Sequence, residues 1–395
     1  EDVVAPRDVP VWAVAGCDGY AVRAADLGAA LSTPSGAGTR EVTLPVVADV
    51  PVTTAEPLRL VSGTTVLIAA GGPLPAGADA VVPLDHTDRG RAQVTIRGPV
   101  EPGDHVRPAG QDVAVGVTVL RAGTRLAPRH LAVAAALGRG RLRVHPAPRV
   151  VVLSIGDELV EPGRNRSPGR VHDVDNIALA AAVRETGAHA VRVGPIGDDR
   201  VLLREALADQ LVRADLIVLT GGLSSGPWDT VTDVLAPLGT VRFDQVAMTP
   251  GHRQGFGTVR AEDSDGDVRH ATALAVGNGD GVPVFALPGH PVAAMVSYEV
   301  FVRPALRTMA GYADLYRPSV RAASAQPWRS PSGRRQFVPA TVVGSPTEGY
   351  VAHPVGDPGQ VSLGSLATAN ALAVVGEDTT TVRAGDTLAC LVLDG

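Results

Sequence analysis

Four short segments concentrate the groups able to act on an anionic small molecule. Gly221 to Asp229, GGLSSGPWD, follows an apolar run and precedes a helical pattern. Gly221, Gly222 and Gly226 let backbone amides approach a ligand, Ser224 and Ser225 offer hydroxyls, and the helix N-terminus behind them favours negative charge. This is phosphate-binding chemistry without a lysine. SIGDEL places Asp157 and Glu158, and IGDD places Asp198 and Asp199, at the ends of two more apolar runs. Carboxylates opposite a phosphate loop suggest a hard cation, Mg²⁺ by default, bridging Glu158 and Asp198 to the ligand. In LPGHP, Pro288 and Gly289 make a turn and Pro291 begins a helix, so backbone amides again face the ligand. A capped turn would explain each motif alone, with Asp229 as a plain helix N-cap and His290 as a surface turn residue. Their coincidence at one sheet edge carries the functional reading.

Those edges belong to a repeated strand, turn, helix pattern. RVVVLSIG (149–156), AVRVGPIGDD (190–199), DLIVLTGG (215–222) and PVFALPG (283–289) are buried strands, and helical runs lie between and after them. Strands alternating with helices predict a parallel, doubly wound sheet, which binds ligands beyond the strand carboxyl ends. Before it, residues 1 to about 145 alternate short Val-rich runs with Gly/Pro turns, interrupted by one helix near 127–137. After about 313, short strands separated by GSP, DPG and AGD turns predict a small barrel or sandwich. The fold class is therefore multidomain α/β plus β.

Composition narrows the chemistry. Of the 395 residues none is lysine, so all 35 basic side chains are arginines, and Walker-loop and Schiff-base chemistry are excluded. Cys17 and Cys390 are the only cysteines, too few for a disulfide framework or a cysteine zinc cluster. A net charge of −6 without basic clusters argues against nucleic acid as a partner. No apolar run approaches the roughly 18 residues of a membrane span, and no signal-peptide pattern opens the chain, so a soluble cytoplasmic protein is expected. The chain begins with Glu1 rather than Met, and a preceding segment is expected.

Taken in order, CDGYAVRAADL, PLPAGADAVV, VRPAGQDVAVG, GDEL, GGLSSGxxD, Pro250–Gly251, LPGHPVAA, RPALRTMAG and GSLATANALAVV resemble the molybdopterin molybdenumtransferase family. This is the MoeA type also found as the C-terminal domain of gephyrin. The resemblance implies a linking subdomain at 1–20 and 100–146, a small β-rich subdomain at 21–99, an α/β molybdopterin-binding domain at 147–312 and a β-barrel at 313–395. It also implies a homodimer with a shared site, and molybdopterin adenylyltransferase as a further partner. The implied reaction converts adenylylated molybdopterin and molybdate to molybdenum cofactor with release of AMP, assisted by Mg²⁺. Carried over by motif, the catalytic residues are Asp18, Glu158, Asp198 and Asp229. The ligand-binding residues are Gly221, Gly222, Ser224, Ser225, Gly226, Pro250, Gly251, Pro288, Gly289 and Pro291.

Five positions depart from the family pattern: Ala70, Gln111, Pro227, His252 and His290. The lost lysine of the usual PGKP turn is replaced in charge, but not in geometry, by Arg253. The departures support an alternative, a catalytically impaired pterin-binding or scaffold relative. Four separated carboxylates retained together favour the enzyme. A dinucleotide oxidoreductase is disfavoured because no GxGxxG follows the first α/β strand.

Overall fold

The computed structural model describes residues 1–31, 41–224, 226–260, 281–360 and 362–393. It divides into two units, Glu1–Val144 and His145–Gly395. Among the described residues no helix is long and apolar enough to cross a membrane.

The first unit is β-rich. Its five-stranded sheet runs in the order Ala80–Pro83, Gly19–Val22, Thr65–Ile68, Glu41–Val50, Gln93–Arg97. Alternation decides which side chains point inward: Val94 and Ile96 are fully buried while their neighbours Gln93 and Arg97 are exposed. One face packs on Leu27 of the helix Ala24–Leu31, and the other buries Val66, Ile68 and Val81 with Leu60 and Leu74. The expected later helix spans Pro128–Ala136, started by proline at its first position.

The second unit contains the six-stranded sheet that positions the site. Its strands are β1 (Arg149–Ile155), β2 (His189–Ile196), β3 (Leu216–Gly221), β4 (Arg242–Gln245), β5 (Arg253–Val259) and β6 (Val282–Leu287). Their spatial order is β2-β1-β3-β6-β5-β4. Strands β2, β1, β3 and β6 are parallel, as the alternation with helices requires. The sheet is not parallel throughout: β5 runs antiparallel to both β6 and β4. β4 and β5 connect through residues 246–252 without an intervening helix, so hairpin-type pairing replaces a crossover there.

Helices cover both faces. α1 (Asp175–Glu185), α4 (Pro291–Ser297) and α5 (Arg303–Met309) pack on the face of Val150 and Val152. α2 (Arg200–Leu211) and α3 (Thr230–Leu235) pack on the face of Val151, Leu153 and Ile155. The continuous apolar run of β1 thus serves two cores by simple alternation. Leu203, Leu207 and Leu211 follow the i, i+4, i+8 spacing of one helix face and are buried, each contributing about 1.5–3 kcal/mol. Between α4 and α5 the helix widens to a π turn at Tyr298–Val302. Pro304 follows, and its missing N–H breaks the regular ladder there.

The C-terminal strands are β7 (Ser319–Ser324), β8 (Arg335–Ser345), β9 (Gly349–Pro354), β10 (Ala371–Val375) and β11 (Thr387–Val392). They run β8-β9-β7-β11-β10, and β10 pairs back on β8, so the choice between sandwich and barrel resolves as a closed barrel. Its core combines the small Ala322, Ala340, Ala352, Ala371 and Ala373 with Trp328, Val338 and Leu388, an alternation of small and large side chains that suits a narrow five-stranded barrel.

Candidate functional site

Register brings the predicted loops to one edge. Ile155 pairs with Ile196 and with Gly221, and Thr220 pairs with Leu287, so the parallel strands end level. GDE, GDD, the Gly221 loop and the Pro288–Pro291 turn therefore leave the sheet side by side. The backbones of two of them touch: a Cβ on Gly289 would lie 3.0 Å from Gly221 Cα.

The acidic residues fall into different roles. Asp157 Oδ1 accepts from the Asp198 N–H at 3.2 Å, and Asp198 Oδ2 accepts from the Asp157 N–H at 3.1 Å. This reciprocal clasp fixes the two loops to each other. Glu158 folds back over Gly156, whose φ of +154° is one that side-chain-bearing residues rarely adopt. Asp199 caps α2, accepting from the N–H groups of Val201 and Leu202. Glu158 and Asp198 are exposed and offer hard oxygen donors. No cluster of three or more His, Cys, Asp and Glu capable of holding a metal occurs among the described residues.

Asp229 caps the short α3 through the Thr232 N–H at 3.0 Å, and its other oxygen forms an ion pair with Arg253 Nη2. The plain capping role and a charged role thus coexist in one side chain. Arg253, the cation standing beside His252 in the Pro250–Gly251 turn, is mostly buried, and its Nε has no partner. Gly251, at φ +90°, lies against α4, where Gln254 donates to the Gly251 carbonyl and to Ser297 Oγ. Pro291 opens α4, and His290, its N-cap residue, makes no side-chain capping bond.

The glycine loop differs from expectation in one respect. Gly221 and Gly222 take φ of +82° and +63°, but a Cβ on Gly222 would point inward, 2.8 Å from Val231 and 2.9 Å from Ile155. The second glycine is needed to seat the loop on β1 and α3. Ser224 Oγ accepts from the Gly226 N–H, holding the turn; Ser225 lies outside the described residues. Pro227 and Trp228 are exposed.

Asp18 belongs to the first unit, where its Oδ1 accepts from the Ala70 N–H at 2.7 Å. Two motif positions far apart in sequence are thus in contact. Gln111 sits near Arg107, which is held by Asp112.

Two features escaped the sequence reading. A cavity of about 250 Å³ is lined by Pro250, Val292, Arg329, Asp357, Gln360 and Ser362, so barrel residues join the α/β domain at a ligand-sized space. Beneath the strand ends lies a buried polar cluster. Asp173 accepts from Ser154 Oγ and from the Asn176 N–H, and Asn176 Nδ2 donates to Ser154 Oγ and the Val193 carbonyl. Among the described residues the one hydrogen-bond partner of Asp175 is the Thr220 hydroxyl, and burial pushes its carboxyl up to about 7, with the Asp173 charge adding to the rise. The signal was present as Ser154 and Thr220 inside otherwise apolar strands.

Residues 1–138 match the MoeA N-terminal region (domain I and II), 151–308 a probable molybdopterin binding domain, and 321–393 the MoeA C-terminal region (domain IV). Molybdopterin molybdenumtransferase 2 of Mycobacterium tuberculosis is 40% identical over 393 residues, covering 98% of this chain and 90% of that protein. The chain belongs to the MoeA family. Molybdopterin molybdenumtransferase 1 of the same organism is 36% identical over 98% of this chain and 89% of its own. The crystal structure of a molybdopterin biosynthesis MoeA protein from Pyrococcus horikosii superposes with a TM-score of 0.80 at 28% identity, covering 100% of this chain and 91% of that one. The MoeA fold is therefore shared from end to end, including the barrel that completes the cavity.

Proposed function

We propose that this MoeA-family protein is a molybdopterin molybdenumtransferase, converting adenylylated molybdopterin and molybdate to molybdenum cofactor with release of AMP. The observation that carries the reading is the level ending of four parallel strands, which sets two acidic loops beside two turns suited to phosphate. The Gly221 loop and the Pro288–Pro291 turn would hold the phosphate-linked pterin through backbone amides. Glu158 and Asp198 would hold Mg²⁺, which supplies charge neutralisation at the phosphates. Arg253, paired with Asp229, supplies fixed positive charge where lysine is missing. We further propose a homodimer, with Asp18 acting in the same reaction.

The test is incubation with adenylylated molybdopterin, molybdate and Mg²⁺, reading AMP release and cofactor formation. Turnover should exceed the no-enzyme control, and Asp198→Asn or Glu158→Gln should lower it by orders of magnitude while pterin binding persists. The altered motif positions and the Asp229–Arg253 pair favour a second reading, an impaired pterin-binding relative. Turnover at the control level with retained pterin binding would establish that reading instead.

A further inference from the structure

Thr220 presents one hydroxyl hydrogen to two acceptors. Its Oγ lies 2.8 Å from Asp175 Oδ2 and 3.1 Å from the Pro288 carbonyl oxygen. A carbonyl cannot donate, so the contact with Pro288 requires the threonine hydrogen. Either the one hydrogen is shared weakly between both acceptors, or the aspartate supplies a hydrogen of its own and each contact becomes a full bond. Asp175 is 7% exposed, and its Oδ1 has no partner, a poor setting for a full carboxylate and a tolerable one for the neutral acid. The surroundings agree. β1 presents Ser154, β3 presents Thr220, the turn before α4 presents the Pro288 carbonyl, and among the described residues Asp173 is the charged group that acts on Asp175. His172, with Nδ1 buried and unpartnered, precedes Asp173. Asp173 receives two donors, from Ser154 and the Asn176 N–H, which favour its charged form, whereas Asp175 has only the Thr220 hydroxyl beside it, so of the two it is Asp175 that takes the proton.

We propose that Asp175 is a positioning residue that acts as a neutral acid, donating to Thr220, which donates to the Pro288 carbonyl and so fixes the Pro288–Pro291 turn against the Gly221 loop. Its effect on ligand rests on the reading of these two turns as the pterin-holding edge. Ionisation of Asp175 turns the Thr220 hydroxyl back toward the carboxylate and releases the Pro288 carbonyl. The burial-raised carboxyl, at about 7, places that release near neutral pH.

Two measurements on the full chain test this. Binding of adenylylated molybdopterin between pH 5.5 and 8.5 should weaken about three- to tenfold in the wild type as pH rises, the loss of one hydrogen bond's worth of order. Asp175→Asn keeps a donor toward Thr220 and should bind with no such pH dependence, and Thr220→Ser should behave as wild type. Thr220→Val should bind weakly at every pH. Hydrogen exchange of the 286–292 segment in free protein, corrected for intrinsic pH effects, should show protection lost with rising pH in the wild type and unchanged in Asp175→Asn. Superimposed exchange profiles for wild type and Asp175→Asn would overturn the relay. Absence of pterin binding by every variant at every pH, with the exchange difference intact, would instead remove the pterin reading and leave the relay standing.

Discussion

Replacing Asp175 with asparagine should change how stability depends on pH, and the size of the change follows from burial. The carboxyl moves from an ordinary value of 3.8 to about 7 in the folded protein. Between those values the folded state keeps a proton that the unfolded chain has released. The unfolded state therefore binds fewer protons, and stability falls as pH rises from about 4 to about 7, then levels. At about 1.4 kcal/mol per unit the loss is about 4 kcal/mol. The N-terminus of α1 favours the anion, an effect of up to about 1 kcal/mol and so smaller than the cost of burying the charge. Desolvation wins. Asparagine cannot ionise, so the variant lacks this slope, although one amide hydrogen left unpaired lowers its stability by a constant about 1–3 kcal/mol. The variant should be the less stable protein at pH 4 and draw level or overtake by pH 8. In a unit of about 250 residues, 4 kcal/mol corresponds to about 8 °C in Tm. Calorimetric scans at half-unit pH steps read the difference directly. Parallel curves for the two proteins across that range would refute the argument, because they would mean that Asp175 ionises alike in both states.

Gly222→Val should destabilise the second unit by about 2–4 kcal/mol in denaturant titration, since it joins a left-handed φ to a side chain forced between Val231 and Ile155. Leu207→Ala should cost about 2–5 kcal/mol with no change in ligand affinity, because the side chain is wholly within the α2 face of the core. Arg253→Gln should weaken pterin binding in equilibrium dialysis, since it leaves the Asp229 charge unpaired next to the ligand loops; unchanged affinity would place the arginine outside the site. Mixing an Asp18 variant with an Asp229 variant should recover part of the AMP release through hybrid sites, and strictly monomeric sedimentation at micromolar concentration would exclude the shared site.

The sequence made the sheet edge readable because ligand loops of α/β folds sit where apolar runs stop, and runs ending at Ile155, Ile196, Gly221 and Leu287 are easy to find. It did not disclose β4 and β5. Gly255 and Gly257 interrupt the alternation of β5, and β4 carries mostly polar side chains. The clasp of Asp157 and Asp198 was also hidden, since a side chain bonded to a backbone amide 41 residues away has no periodic signature. Gly221 and Gly222 were visible, but single-letter text cannot tell a glycine that opens a ligand's path from one that fits a loop onto the core beneath it. The same limit applied to Asp175. An aspartate at the start of a helix reads as a favourable charge, and only three-dimensional burial turns it into an acid.

Closure of the C-terminal barrel also bears on how the chain avoids sticking to its own copies. A strand at the rim of an open sheet presents unpaired amides and carbonyls that another chain can extend, and a barrel whose last strand pairs with β8 has no such rim. The α/β sheet does have rims, at β2 and β4. β4 is four residues long and carries Arg242 and Asp244 on its exposed surface, features that discourage edge-to-edge growth. β2 is eight residues long with Val191 exposed, and although Arg192 and Pro195 interrupt it, it is the longer of the two rims. When the second unit loosens under heat or denaturant, aggregation should therefore begin at the His189–Ile196 strand, and a charge placed at Val191 should delay it more than any change in the barrel.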